Sequence, residues 1–177
     1  MSKPERTDLP GPLHRVLYRL AVWFAYAGGV VVAALGLMSA VHIIGLWMFS
    51  APIRGDFELV EFGIAIAGAL FIPYCQAARG HIVVDFFTQK ASPRTIATLD
   101  AFGACLMALV FFLIGWRTAI AVFSIYSSGE TTTLRELPIW IAYALMTPGF
   151  LLAGLIALAQ GLGLMPADAD QAGVEIK

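Results

Sequence analysis

Charge, cysteine and histidine are all scarce in this chain of 177 residues, and each shortage closes off a class of function. Only 13% of the residues are charged and the net charge is −1, with no long Lys/Arg run, so the electrostatic footprint of a nucleic-acid binder is missing. The two cysteines, Cys75 and Cys105, sit inside apolar runs with no second Cys or His at ligand spacing. They read as small buried hydrophobes, and neither a disulfide framework, a metal site nor a cofactor site is expected. Instead 59% of the chain is hydrophobic and the mean hydropathy is +0.81, too apolar for a water-facing globule. The expectation is an all-α integral membrane protein.

A helix rising about 1.5 Å per residue needs about 20 apolar residues to cross a hydrocarbon core of about 30 Å. Four segments reach that length: 20–49, 57–78, 93–127 and 138–164. Basic residues Lys3, Arg6, Arg15 and Arg19 precede the first, but the run free of Asp, Glu, Lys and Arg from Leu20 to Ile53 far exceeds a cleavable signal core and reads as a retained span. Asp56 is placed to cap span two and Ser92-Pro93 to open span three, while Pro73 and Pro148 are candidate kinks. Positive charge orients the set. The arm 1–19 and the link bearing Arg79, Lys90 and Arg94 outweigh the links bearing Arg54 and Arg135, so both termini and the middle link are expected in the cytoplasm. Trp23, Tyr26, Trp47, Tyr126, Trp140 and Tyr143 fall near span ends, as an interfacial belt requires. The tail 165–177 is small and polar.

The few charges in spans two and three mark depth. Glu61 and Arg79 are 18 residues apart, about 27 Å of helix, and Asp100 and Arg117 are 17 apart, about 26 Å. In antiparallel spans, opposite signs then meet at each rim, which raises two interhelical ion pairs, Glu61 with Arg117 and Arg79 with Asp100. The alternatives are that each charge snorkels to water or headgroups, or that Glu61 or Arg117 faces a partner protein. No ionisable residue falls at the midplane, where ion-coupling sites are built, and no internal repeat or paired broken segments mark a transport core.

Between spans two and three, HIVVDFFTQK (81–90) puts Ile82, Val83, Phe86 and Phe87 on one side and His81, Asp85 and Thr88 on the other, the pattern of a short amphipathic helix lying in the membrane interface. His81 and Asp85 are four apart and can share a hydrogen bond, but two ligands make no metal site. No Ser or Cys nucleophile accompanies them and an interfacial helix offers no pocket, so no catalytic residue is assigned and an enzyme is not expected.

An ordered set of short motifs resembles a known family. Glu61 early in span two, Arg79-Gly80-His81-Ile82 with Val84-Asp85 at its end, a Thr-rich link leading into Leu137-Pro138 and Trp140, and Pro148-Gly149 in span four are similar to the small permease subunit of tripartite ATP-independent periplasmic (TRAP) transporters. The resemblance runs from about Arg15 to Leu164. It implies a multi-pass subunit of the bacterial inner membrane, in a sodium-driven importer of organic acids, without catalysis of its own. Its partners would be a large membrane permease subunit whose scaffold it braces, a periplasmic substrate-binding protein met transiently, and membrane lipids. Small residues provide close packing in lipid, and Gly149, Ala153, Ala157 and Gly161 recur every four residues in span four, as do Ala25, Gly29 and Ala33 in span one. The stripes pack the chain's own helices or, for span four, face the large subunit. With Glu61, Arg79, His81 and Asp85, the span-four stripe makes up the expected partner or lipid interface. The competing reading is a haem-anchoring subunit of a respiratory complex. It fails on spacing, since His42 lies 23 residues after Arg19, about 34 Å along the helix, at the rim opposite His81.

Overall fold

The computed structural model describes residues 12–49, 55–78 and 93–164, and these form four α-helices. They are α1 (Pro12–Phe49), α2 (Asp56–Ala77), α3 (Pro93–Ser128) and α4 (Trp140–Gly161). All four are long and apolar enough to cross a membrane. The amphipathic segment 81–90 and the 165–177 tail lie outside the described residues.

Each helix boundary has a local cause. Pro12, which needs no backbone N–H, opens α1 well before the apolar run begins at Leu20. The helix starts this early because His14, Leu17 and Ala21 recur on one face and are buried. Gly55, not Asp56, is the residue before α2: its φ of 72° is left-handed, and its carbonyl accepts the Leu59 N–H at 3.3 Å. Asp56 is instead the first helical residue, where its negative charge suits the helix dipole. Pro138 lies just outside α4, bridged to Thr131, and the helix starts two residues later. At the other end Gly163 (φ 69°) donates to Gln160 and Leu164 donates to Ala159 at 2.9 Å, the paired bonds of a Schellman stop. Both internal prolines, Pro73 and Pro148, lie inside uninterrupted helices.

The helices are not arranged as a closed ring. α1 packs on α2, α2 on α4, and α4 on α3; α1 meets α4 only briefly, and the backbone of α3 comes close to neither α1 nor α2. α4 is therefore the centre of the molecule. Leu152, Ile156 and Ala159 meet Leu17 and Ala21 of α1, whereas Ala153 and Ala157 meet Ala108 and Phe111 of α3. By contrast α1 is open along much of its length, with Trp23, Val30, Leu37 and Trp47 all exposed. Cys75 and Cys105, expected inside, are exposed as well. In lipid such surfaces cost little, so outward-facing apolar side chains follow from the solvent and not from poor packing.

Candidate functional site

Close approach of α4 to its neighbours rests on the small-residue stripe, and this corrects the expectation that the stripe faces another subunit. Ala153 and Ala157 are completely buried within the chain. A Cβ on Gly149 would run into the Ala69 carbonyl of α2, and one on Gly161 would stand 2.7 Å from Cys105 Sγ of α3. The Ala69 carbonyl has a particular origin. Pro73, four residues on and itself buried, has no N–H to give it, so the carbonyl loses its regular helical donor where Gly149 arrives. In α1 the contact residue is Gly28, against Leu70 and Phe71, while Gly29 has open space around it. The Ala25–Gly29–Ala33 stripe is thus one residue out of register with the face that packs.

Buried polar groups gather at a single end of the molecule, where α1 begins and α2 and α4 stop. Gln76 Nε2 donates to Gln160 Oε1 at 2.7 Å, and Gln160 Nε2 donates to the Gln76 carbonyl at 2.8 Å. Both side chains are buried, as is His14. Tyr18 lies between His14 and Tyr74, tilted to both rings, with centroids 6.1 and 6.3 Å away. The Gln pair ties α2 to α4 where an unbonded amide would be costly. Replacing Gln160 with Leu removes both bonds and should destabilise the chain by about 1–2 kcal/mol. Unfolding in mixed micelles measures this, and a double Gln76→Leu, Gln160→Leu variant should recover part of the loss.

The opposite end, where α2 and α4 begin, carries the folded link 129–139. Glu58, in the first turn of α2, accepts the Leu134 N–H at 2.7 Å with one carboxylate oxygen and the Arg135 N–H at 3.0 Å with the other. Across from it the Arg135 side chain lies over Gly55, where a Cβ would stand 2.7 Å from Arg135 Cγ. The link is closed by Thr132, whose N–H donates to the Leu137 carbonyl and whose hydroxyl accepts the Leu137 N–H. Glu136 takes a left-handed φ of 54°, and Tyr126 meets Trp140 edge-on at 5.6 Å. Nearby, His42 Nδ1 of α1 lies 3.5 Å from the Asp56 carboxylate.

The expected ion pairs fare differently. Glu61 and Arg117 do not pair, because their helices are held apart by α4. Arg117 is nine residues from the buried Ala108, half a turn round α3 at about 100° per residue, and so points away from α4. Asp100 is exposed, and its proposed partner Arg79 lies outside the described residues, as do His81 and Asp85. His14 and His42 stand at opposite ends of α1, 28 residues or about 42 Å apart, too far to ligate one haem. Among the described residues no group of three His, Cys, Asp or Glu comes together as a metal site.

The fold thus offers a tied link at one end, a buried amide pair at the other, and open apolar flanks between. No curated protein and no solved structure matches the chain. The family model described as tripartite ATP-independent periplasmic transporters, DctQ component, matches residues 35–166, which takes in the last part of α1 and all of α2, α3 and α4. The chain belongs to that family, and is a small, multi-pass membrane subunit of a TRAP transporter.

Proposed function

We propose that this subunit carries no substrate and catalyses no reaction, and that it braces the stationary scaffold of a large permease subunit in the bacterial inner membrane. The large subunit would move an organic acid by an elevator motion driven by sodium, with a periplasmic binding protein delivering the carboxylate. One observation supports this above the rest. Among the described residues the buried polar side chains, His14, Gln76 and Gln160, all lie at one end, and the middle of the molecule is filled by alanine, leucine, isoleucine and phenylalanine. A route for a charged solute needs polar groups at mid-depth. The open flanks of α1 and α3 fit a chain that lies against another membrane protein and lipid.

The basic residues of the arm and of the middle link favour cytoplasmic termini, with the Glu58-tied link outside, where a binding protein can reach it. Arg79, His81 and Asp85 belong in this reading to a cytoplasmic interfacial helix that meets lipid headgroups or the large subunit. Co-purification tests the proposal. Tagged at its C-terminus and extracted in mild detergent, the chain should bring down a much larger multi-span protein in equal amount. Recovery of the chain alone, from cells that make both, would refute it.

A further inference from the structure

The proposed assembly leaves open which flank meets the large subunit. One flank of α2 carries a charge that the fold leaves unanswered. Glu61, Ala65, Gly68 and Ile72 follow one another at helical spacing and form a single stripe. At its lower end Ile72 packs against the cluster in which Ala153 and Ala157 of α4 meet Ala108 and Phe111 of α3, so this end of the stripe turns toward the α3–α4 seam. Above Ile72 the stripe opens outward, with Ala65 half-buried and Gly68 and Glu61 exposed. Gly68 has nothing within 4 Å of a would-be Cβ, Ile64 beside it is 60% exposed, and Glu61 is exposed. Since the backbones of α2 and α3 do not come close to each other while both pack on α4, the stripe borders the gap between them, with α4 as its floor.

Glu61 lies five residues into α2, about 7–8 Å along the helix, within an apolar stretch that holds no further Asp, Glu, Lys or Arg up to Ala77. Among the described residues it has neither a hydrogen bond nor an ion pair, and Arg117 faces the far side of α3. A carboxylate on a lipid-facing stripe is expensive, and covering it with a second helix is tolerable only if that helix brings a cation. Gly68, two turns below, lets a helix backbone approach closely. We infer that a membrane helix of the large permease subunit lies along this stripe in the cleft between α2 and α3, and that it carries a lysine or arginine paired with Glu61.

The inference rests on the proposed function, and its test separates the two. Both membrane subunits are expressed together and a photo-crosslinking residue is placed at Ile64 or, for comparison, at Leu113 on the back of α3. Ile64 should give an adduct with the large subunit, and Glu61→Arg should reduce the co-purified large subunit by about tenfold or more. Glu61→Asp should keep most of it, and a Glu61→Arg, Arg117→Glu double variant should restore nothing. The isolated Glu61→Arg chain should melt like the parent, because among the described residues Glu61 is exposed and makes no hydrogen bond or ion pair, and an unchanged melt excludes misfolding as the cause. If the parent chain recovers no large subunit, the proposed function falls and takes this inference with it. If the parent recovers it and Glu61→Arg recovers as much, the inference alone is wrong. Adducts at Ile64 only with lipid, or only with a second copy of this 19.0 kDa chain, also overturn it.

Discussion

Gly149→Ala is expected to destabilise the isolated chain by about 1–3 kcal/mol, although alanine is the better helix former by about 1 kcal/mol. The added methyl has nowhere to go. It meets the Ala69 carbonyl, which is backbone and cannot rotate aside as a side-chain tip would. Relief requires α2 and α4 to separate, and that strains the Gln76–Gln160 bonds and the burial of Ala153 and Ala157 together. Gly149→Val should prevent recovery of a monodisperse chain altogether. Gly29→Ala and Gly103→Ala are the counterparts, since nothing lies within 4 Å of either new methyl. Each should be neutral or stabilise by up to about 1 kcal/mol. Thermal unfolding in detergent, followed by circular dichroism, ranks the three. Equal effects at Gly149 and Gly29 would mean that α4 is not the packing centre.

Glu58→Ala should release the link 129–139 while leaving the four helices in place. The main-chain N–H groups of Leu134 and Arg135 share this one carboxylate, which Thr132 and Thr133 also approach, so a single substitution removes the link's attachment to Glu58 of α2. The turn's own bonds, Thr132 with Leu137 and Glu136 N–H to the Thr132 carbonyl at 3.1 Å, remain to hold its shape. The consequence is a folded but untethered link. Amide exchange at Leu134 and Arg135 should quicken by about tenfold or more, as charge-assisted bonds are lost in a pair, with the protection of α2 and α4 unchanged. Glu58→Gln retains one acceptor oxygen and should fall between. If the link is where a binding protein docks, uptake by the assembled transporter should drop in the same order.

These two sites also show how much was legible in the residues. The number of helices long enough to span could be read, because long apolar runs have a local physical cause, and α3 opens at Pro93. Neighbour relations could not. Helices apolar on every side carry no facing signal, so nothing in the pattern placed α4 between α2 and α3. Matching charges by depth put Glu61 and Arg117 at one level yet could not see the helix standing between them. The four-residue stripe in α4 is visible as a packing device, but its spacing does not say whether it serves this chain or another; the contact of Gly149 with Ala69 does. In α1 the same reasoning chose Gly29 where Gly28 makes the contact, since two adjacent glycines satisfy the spacing almost equally. Gln76 and Gln160 carried a signal that went unused: an amide near the end of each of two apolar helices calls for a partner. Glu58 left no such mark, for its partners are chiefly backbone N–H groups more than 70 residues away, among them Leu134 and Arg135 at separations of 76 and 77.

The measurement that bears most directly on the account is solute uptake by proteoliposomes. Vesicles holding this chain alone should accumulate no organic acid under a sodium gradient, whereas vesicles that also hold the large subunit, supplied with the binding protein, should. Sodium-dependent accumulation by the chain alone would contradict the account, because a molecule whose interior is apolar at mid-depth has no path to offer.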